Sequence, residues 1–169
     1  MKKTLVFTIL LVAAAAFAGE HHHATAASSP GFDKMKALVG EWTANVPNMG
    51  KVTATYSMHS DGTALLEELK MPAEHGEQSM ISVYYPVGGD IAMTHYCSGH
   101  NQPHMKASGT DGQTVKFAAK SIDNLASAND QHMDGVQFTF KDADHFTAAW
   151  TNVDGGKTMT VPFEFTRVR

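Results

Sequence analysis

The 169-residue sequence predicts an all-β protein: an antiparallel up-and-down β-barrel of about ten strands, with a short helix ahead of them. Three observations carry that expectation. Apolar and polar residues alternate in short runs with period two, which puts every second side chain on one face of a strand. The runs are punctuated by hairpin chemistry at Ser60-Asp61-Gly62, Gly88-Gly89-Asp90, Asp111-Gly112 and Asp154-Gly155-Gly156. So many strands joined by short connections avoid exposed edges most simply by closing, with a two-sheet sandwich as the alternative.

The amino terminus reads as a secretory signal over residues 1–18. Lys2 and Lys3 give the positive start, Leu5 to Phe17 the apolar run, and Ala16-Phe17-Ala18 the small-residue cleavage pattern. That run is too short for an ordinary membrane span, and no later segment reaches the necessary length. Cleavage after Ala18 leaves 151 residues, enough for a single domain with its own core. It removes two of 13 basic side chains and none of 17 acidic ones, so the net charge becomes −6. Without clustered Lys and Arg, a nucleic-acid partner is not expected. The expectation is an exported protein, periplasmic or secreted, that is soluble and a monomer or weak dimer.

Residues 19–31 are rich in Ala, Ser, His and Gly and read as a disordered tether. If the signal ends at Ala18, the new terminus is Gly19-Glu20-His21. Its amine, two amides and third-position imidazole suit square-planar copper, so this stretch is either a plain polar leader or an accessory copper site. Residues 30–38 form an expected short helix with Phe32, Met35 and Leu38 on one side.

The expected strands are 38–46, 51–59, 63–71, 79–85, 91–97, 105–108, 114–120, 136–140, 145–151 and 158–168. Residues 121–133 interrupt them, with Ile122, Leu125 and Ala126 at near-helical spacing, and are expected as a short lid or irregular crossover. Val136, Phe138 and Phe140 share a face, as do Phe146, Ala148 and Trp150, and Met159, Val161, Phe163 and Phe165. Glu67 falls on the apolar face of Leu65 and Leu69. An inward carboxylate needs a partner, so the expectation there is a misassigned face or a mouth position near solvent. Met58, Met80, Met93 and Met159 read as adaptable core packing.

The chemistry concentrates in residues 93–105, which hold the only cysteine and three of the ten histidines. Alternation puts Ile91, Met93, His95 and Cys97 on one face, just below a Gly/Asn/Pro turn carrying His100 and His104. Imidazole and thiolate donors suit zinc, copper or haem iron, although the spacing matches no standard zinc motif. The bland alternative has His95 hydrogen-bonded within the wall and Cys97 filling core volume. A catalytic version would use Cys97 as thiolate and His95 or His100 as base.

Gly40-Glu41-Trp42, after a short helix, resembles the Gly-x-Trp signature of the lipocalin and wider calycin group. That resemblance implies that Trp42 closes one end of the barrel, with Arg167 lying across it. The run Phe163 to Val168 is similar to the last strand of fatty-acid-binding and nitrobindin-like members. Thr94-His95-Tyr96-Cys97 followed by Asn101-Gln102-Pro103 resembles a block of an uncharacterised bacterial family of small exported lipocalin-like proteins. The fatty-acid-binding Arg-x-Tyr pair is absent here, and the last histidine is His145, unlike the C-terminal haem ligand of nitrobindin-like proteins.

These readings converge on a barrel binding a small apolar or amphipathic molecule, with His95, Tyr96, Cys97, Asn101, Gln102, Tyr84, Trp42 and Arg167 as candidate ligand contacts. The second reading is a metal or haem protein using His95, Cys97, His100 and His104. A thiol-dependent enzyme is the third.

Overall fold

The computed structural model describes residues 29–169. The signal segment, most of the tether and the Gly19-Glu20-His21 terminus lie outside the described residues. Ten antiparallel strands form one closed barrel in sequence order, β1 returning to pair with β10. They are β1 (Gly40–Val46), β2 (Gly50–His59), β3 (Ala64–Ala73), β4 (Gly76–Val87), β5 (Asp90–Tyr96), β6 (Gln102–Thr110), β7 (Thr114–Asp123), β8 (His132–Phe140), β9 (His145–Asp154) and β10 (Lys157–Arg167). Each overlaps one of the ten expected runs, with β6 and β8 starting at Gln102 and His132, ahead of the expected 105 and 136. The ladder thus has no free edge, as the alternation and the short turns predict.

Helix α1 (Pro30–Met35) and a 3-10 turn (Lys36–Leu38) precede the strands. Ser29 caps α1 by accepting the Phe32 N–H at 3.3 Å, and Pro30 fills the first turn, where its missing N–H costs nothing. Phe32, Met35 and Leu38 are buried. The folded body therefore includes residues 29–31, which the tether expectation left out.

At the same end, Trp42 packs edge-on against Phe146 with centroids 4.7 Å apart, and its indole N–H donates to Leu38 O at 2.6 Å. The Arg167 guanidinium lies 4.1 Å from the Trp42 ring and donates to Val39 O and Ala37 O at 2.9 Å each and to Ala143 O at 3.1 Å. Gly40 has φ +128°, and a Cβ there would come within 2.8 Å of Arg167 Nη1. The glycine of Gly-x-Trp is thus needed both for its backbone angle and for the space the arginine occupies. β1 and β10 share only two register pairs, Trp42 with Arg167 and Thr43 with Thr166. The arginine fastens this short seam.

Two expectations change. The expected lid or irregular crossover over 121–133 shrinks to an irregular connection over 124–131, without a helix: β7 runs on to Asp123, and β8 starts at His132. Extended pairing with β6, Gln102 opposite Asp123 and Pro103 opposite Ile122, outweighs the near-helical spacing. Pro103 lies inside β6 because β5 pairs with β6 only through Ala92, Met93 and Thr94, so no β5 partner requires its missing N–H.

Candidate functional site

Strand register builds an inward-facing polar row across four neighbouring strands. Tyr56 on β2 stands opposite Glu67 on β3, Glu67 opposite Ser82 on β4, and Ser82 opposite His95 on β5. All four are buried, with Glu67 fully enclosed at 0% exposure. The mouth or misassigned-face expectation for Glu67 is therefore overturned. The carboxylate is tolerated because it has partners: Tyr56 OH donates to Oε1 at 2.7 Å, and Tyr84 OH, from the next inward position of β4, donates to Oε2 at 2.6 Å. Burial raises the Glu67 pKa, while the Tyr84, Tyr56 and Ser82 hydroxyls pull it back. Burial and then the Glu67 charge push both tyrosines well above their ordinary value.

At the other end of the row, Ser82 Oγ lies 3.0 Å from His95 Nδ1. Burial lowers the His95 pKa to about 4, so the ring is neutral at physiological pH. Its Nε2 has no hydrogen-bond partner. Trp150 on β9 lies tilted beside it, ring planes at 44° and centroids 5.0 Å apart, and the indole N–H is also unpartnered.

Both rings line a cavity of about 280 Å³ at the barrel end opposite Trp42. The rest of its wall is largely apolar: Leu69, Val161, Phe163 and five methionines, Met49, Met71, Met80, Met133 and Met159. Unbranched thioethers line adaptable binding surfaces as readily as cores. Met159, expected as core, is 57% exposed at the rim, whereas Met93 is fully buried. Asn152 contributes a third buried polar atom without a partner, its Oδ1. Three larger depressions, two of about 450 Å³ and one of about 360 Å³, lie elsewhere on the surface, and their linings hold no such atom.

The structure divides the residues singled out from sequence. His95 and Cys97 both line the cavity. Tyr84 lies beneath it, holding Glu67. Tyr96 points outward and is 51% exposed. Asn101 is buried and ties the 97–101 turn to the loop after β7, donating to Gln131 O at 2.7 Å. Gln102 reaches the same loop through Asn124 Nδ2 at 2.5 Å. Trp42 and Arg167 sit at the closed end, away from the cavity. Glu67, Ser82, Trp150 and Asn152 were missed as site residues. The only sequence signal was Glu67 in an apolar alternation.

The four proposed metal donors do not form one donor set. His104 pairs in register with outward-facing Thr94 and bonds to its hydroxyl at 3.1 Å and to Asp123 at 2.9 Å, on the outer face of the wall whose inner face carries His95. His100 is exposed in the turn with φ 63°. Among the described residues no three His, Cys, Asp or Glu side chains are grouped to hold a metal ion. Nor is Cys97 paired with an imidazole: its sulfur takes the Gly99 N–H at 3.4 Å. The nucleophile–base contact of a thiol enzyme is not formed.

No family model matches the chain, and no curated protein matches it. Fold and site define the class directly: a closed, ten-stranded, lipocalin-like β-barrel, capped at one end by helix and arginine and hollow at the other. No helix among the described residues is long and apolar enough to cross a membrane.

Proposed function

We propose that this protein is an exported carrier that holds one small apolar or amphipathic molecule in the open end of its barrel. One observation supports the reading above the rest. A Met-lined apolar cavity presents three buried polar atoms, His95 Nε2, Trp150 Nε1 and Asn152 Oδ1, that lack partners within the protein. Buried polar groups are nearly always satisfied, so such a cluster around a cavity is the signature of a site completed by something bound. The volume sits near the lower edge of the roughly 300–1,000 Å³ usual for ligand pockets, which favours a compact molecule.

The experiment is native mass spectrometry with metal analysis on untagged protein purified from its export compartment. A stoichiometric organic mass that is released on denaturation supports the carrier. Stoichiometric metal or haem without an organic mass overturns it.

A further inference from the structure

A strand with one face in the core and one in water alternates apolar with polar residues, and most strands of this barrel do so. β2 turns Lys51, Thr53, Thr55 and Ser57 outward, and β8 turns out Gln137 and Thr139. β4 does not. Met80, Ser82 and Tyr84 are its buried residues, so Ile81, Val83, Tyr85 and Val87 form its outward row, four apolar or aromatic side chains in succession. Register widens the stripe: Leu66 on β3 stands opposite Val83, and Tyr96 on β5 stands opposite Ile81. Four of the eight exposed large apolar side chains among the described residues, Ile81, Tyr85, Val87 and Tyr96, lie in this one stripe. A contiguous exposed apolar patch marks a contact surface, whereas scattered single residues do not.

Charge identifies the partner. On the β3 side Glu68 pairs with Lys70 at 3.3 Å, and on the β5 side Asp90 pairs with Lys106 at 3.0 Å. The border of the stripe is thus locally neutral, although the whole chain carries −4. A strongly basic partner finds no uncompensated acid there, and an anionic membrane finds no free base. Two copies of an acidic chain, by contrast, meet most readily where each is neutral. A two-fold contact must also match itself. An axis lying in the contact plane and crossing β4 at Val83, perpendicular to the strand, sets Ile81 against Tyr85 of the second copy and Tyr96 against Ala92 of the second copy, large side chain on small. Glu68 then lies over the Ala64 end of β3 and meets no like charge.

We propose that the outer face of β4, with its neighbours on β3 and β5, pairs two copies of this chain in a two-fold dimer. The stripe is about 20 Å long and three strands, about 14 Å, wide, so its apolar centre covers roughly 300 Å² per copy. That is well below the roughly 800 Å² per partner of a tight complex, and the dimer is reversible, with a dissociation constant on the order of 10–100 μM. The cavity opens at the barrel end and stays independent of this contact.

The test is sedimentation velocity of the untagged protein over about 5 to 500 μM, a range that brackets such a constant. The expected result is a mass rising from monomer toward dimer, with Val83→Lys and Ile81→Lys each weakening association at least tenfold and Gln137→Lys, on the outer face of β8, leaving it unchanged. An added lysine lowers the net charge of an acidic chain, so a loss confined to β4 is not general repulsion. Monomer throughout the range overturns the proposal. So does weakening of less than tenfold by both β4 changes, equal weakening by Gln137→Lys, or monomeric protein that floats with neutral phosphatidylcholine vesicles. The two β4 variants are read separately, and the concentration series on unsubstituted protein stands if either fails to fold.

Discussion

Ser82 Oγ lies 3.0 Å from Nδ1 of His95, and the same serine stands across the ladder from Glu67. Register thus sets one hydroxyl between a buried carboxyl group and a ring that faces the cavity. Two hydrogen-bonded groups, Tyr56–Glu67–Tyr84 and Ser82–His95, thus lie side by side in one row, and the tyrosines anchor Glu67 to the core.

That anchoring predicts an asymmetry among substitutions. Glu67→Leu leaves the Tyr56 and Tyr84 hydroxyls buried without acceptors and should destabilise the barrel by about 2–5 kcal/mol in urea denaturation. Glu67→Gln retains an acceptor and should cost less. The triple change Glu67→Leu with Tyr56→Phe and Tyr84→Phe removes donors and acceptor together, and should recover much of the loss. A triple variant weaker than the single Leu change would refute this account of the row.

His95 predicts a pH dependence. Its folded pKa is about 4 against an ordinary 6.5. Between those values the unfolded chain binds a proton that the folded one does not. Stability from this group is therefore fully present above pH 6.5 and is lost as pH falls toward 4, on the order of 3 kcal/mol in all. Glu67, with its pKa raised by burial, has the opposite sign and loses stability as pH rises above 4.5. Comparison with His95→Gln cancels the Glu67 contribution. The stability advantage of wild type over that variant should shrink between pH 7 and 4, and an unchanged difference would mean that His95 is not buried neutral.

At the closed end, Arg167→Ala removes a cation–π contact and three carbonyl hydrogen bonds from the β1–β10 seam. The expected loss is about 2–4 kcal/mol in chemical denaturation. Ligand affinity should stay unchanged, because the cavity lies at the other end. Arg167→Lys should rescue only part of the stability, since an ammonium lacks the planar fork that reaches several carbonyls at once. Full rescue by lysine would reduce the arginine to a point charge.

Cys97 is partly exposed in the cavity wall. A small alkylating reagent should label it more slowly in native protein than in urea, and an occupied cavity should slow native labelling further. Mass spectrometry of labelling time courses with and without the organic molecule that copurifies with the barrel measures this. Equal rates in both would place the bound molecule somewhere other than beside Cys97.

Local pattern carried the architecture. Alternation marked all ten strands and the inward faces of β8, β9 and β10, since a strand buried on one side must repeat with period two. Phe32, Met35 and Leu38 marked the plug, and Gly40-Glu41-Trp42 with Arg167 marked the closed end. His95 and Cys97 were legible as an inward pair for the same reason. Alternation also set Glu67 inward, but the sequence could not show what would make a carboxylate acceptable there. Tyr56, Ser82 and Tyr84 lie on other strands, and only the register of β2, β3 and β4 delivers their hydroxyls to it.

Register likewise separated His104 from His95. Pairing Thr94 with His104 sends that imidazole to the outer wall, where Asp123 receives it. The sequence by itself determined which residues form strands and which faces are apolar, because both follow from the geometry of a single pleated chain. The tertiary structure decided which polar groups meet, because contacts between strands depend on alignment, and a shift of one residue would exchange inside for outside.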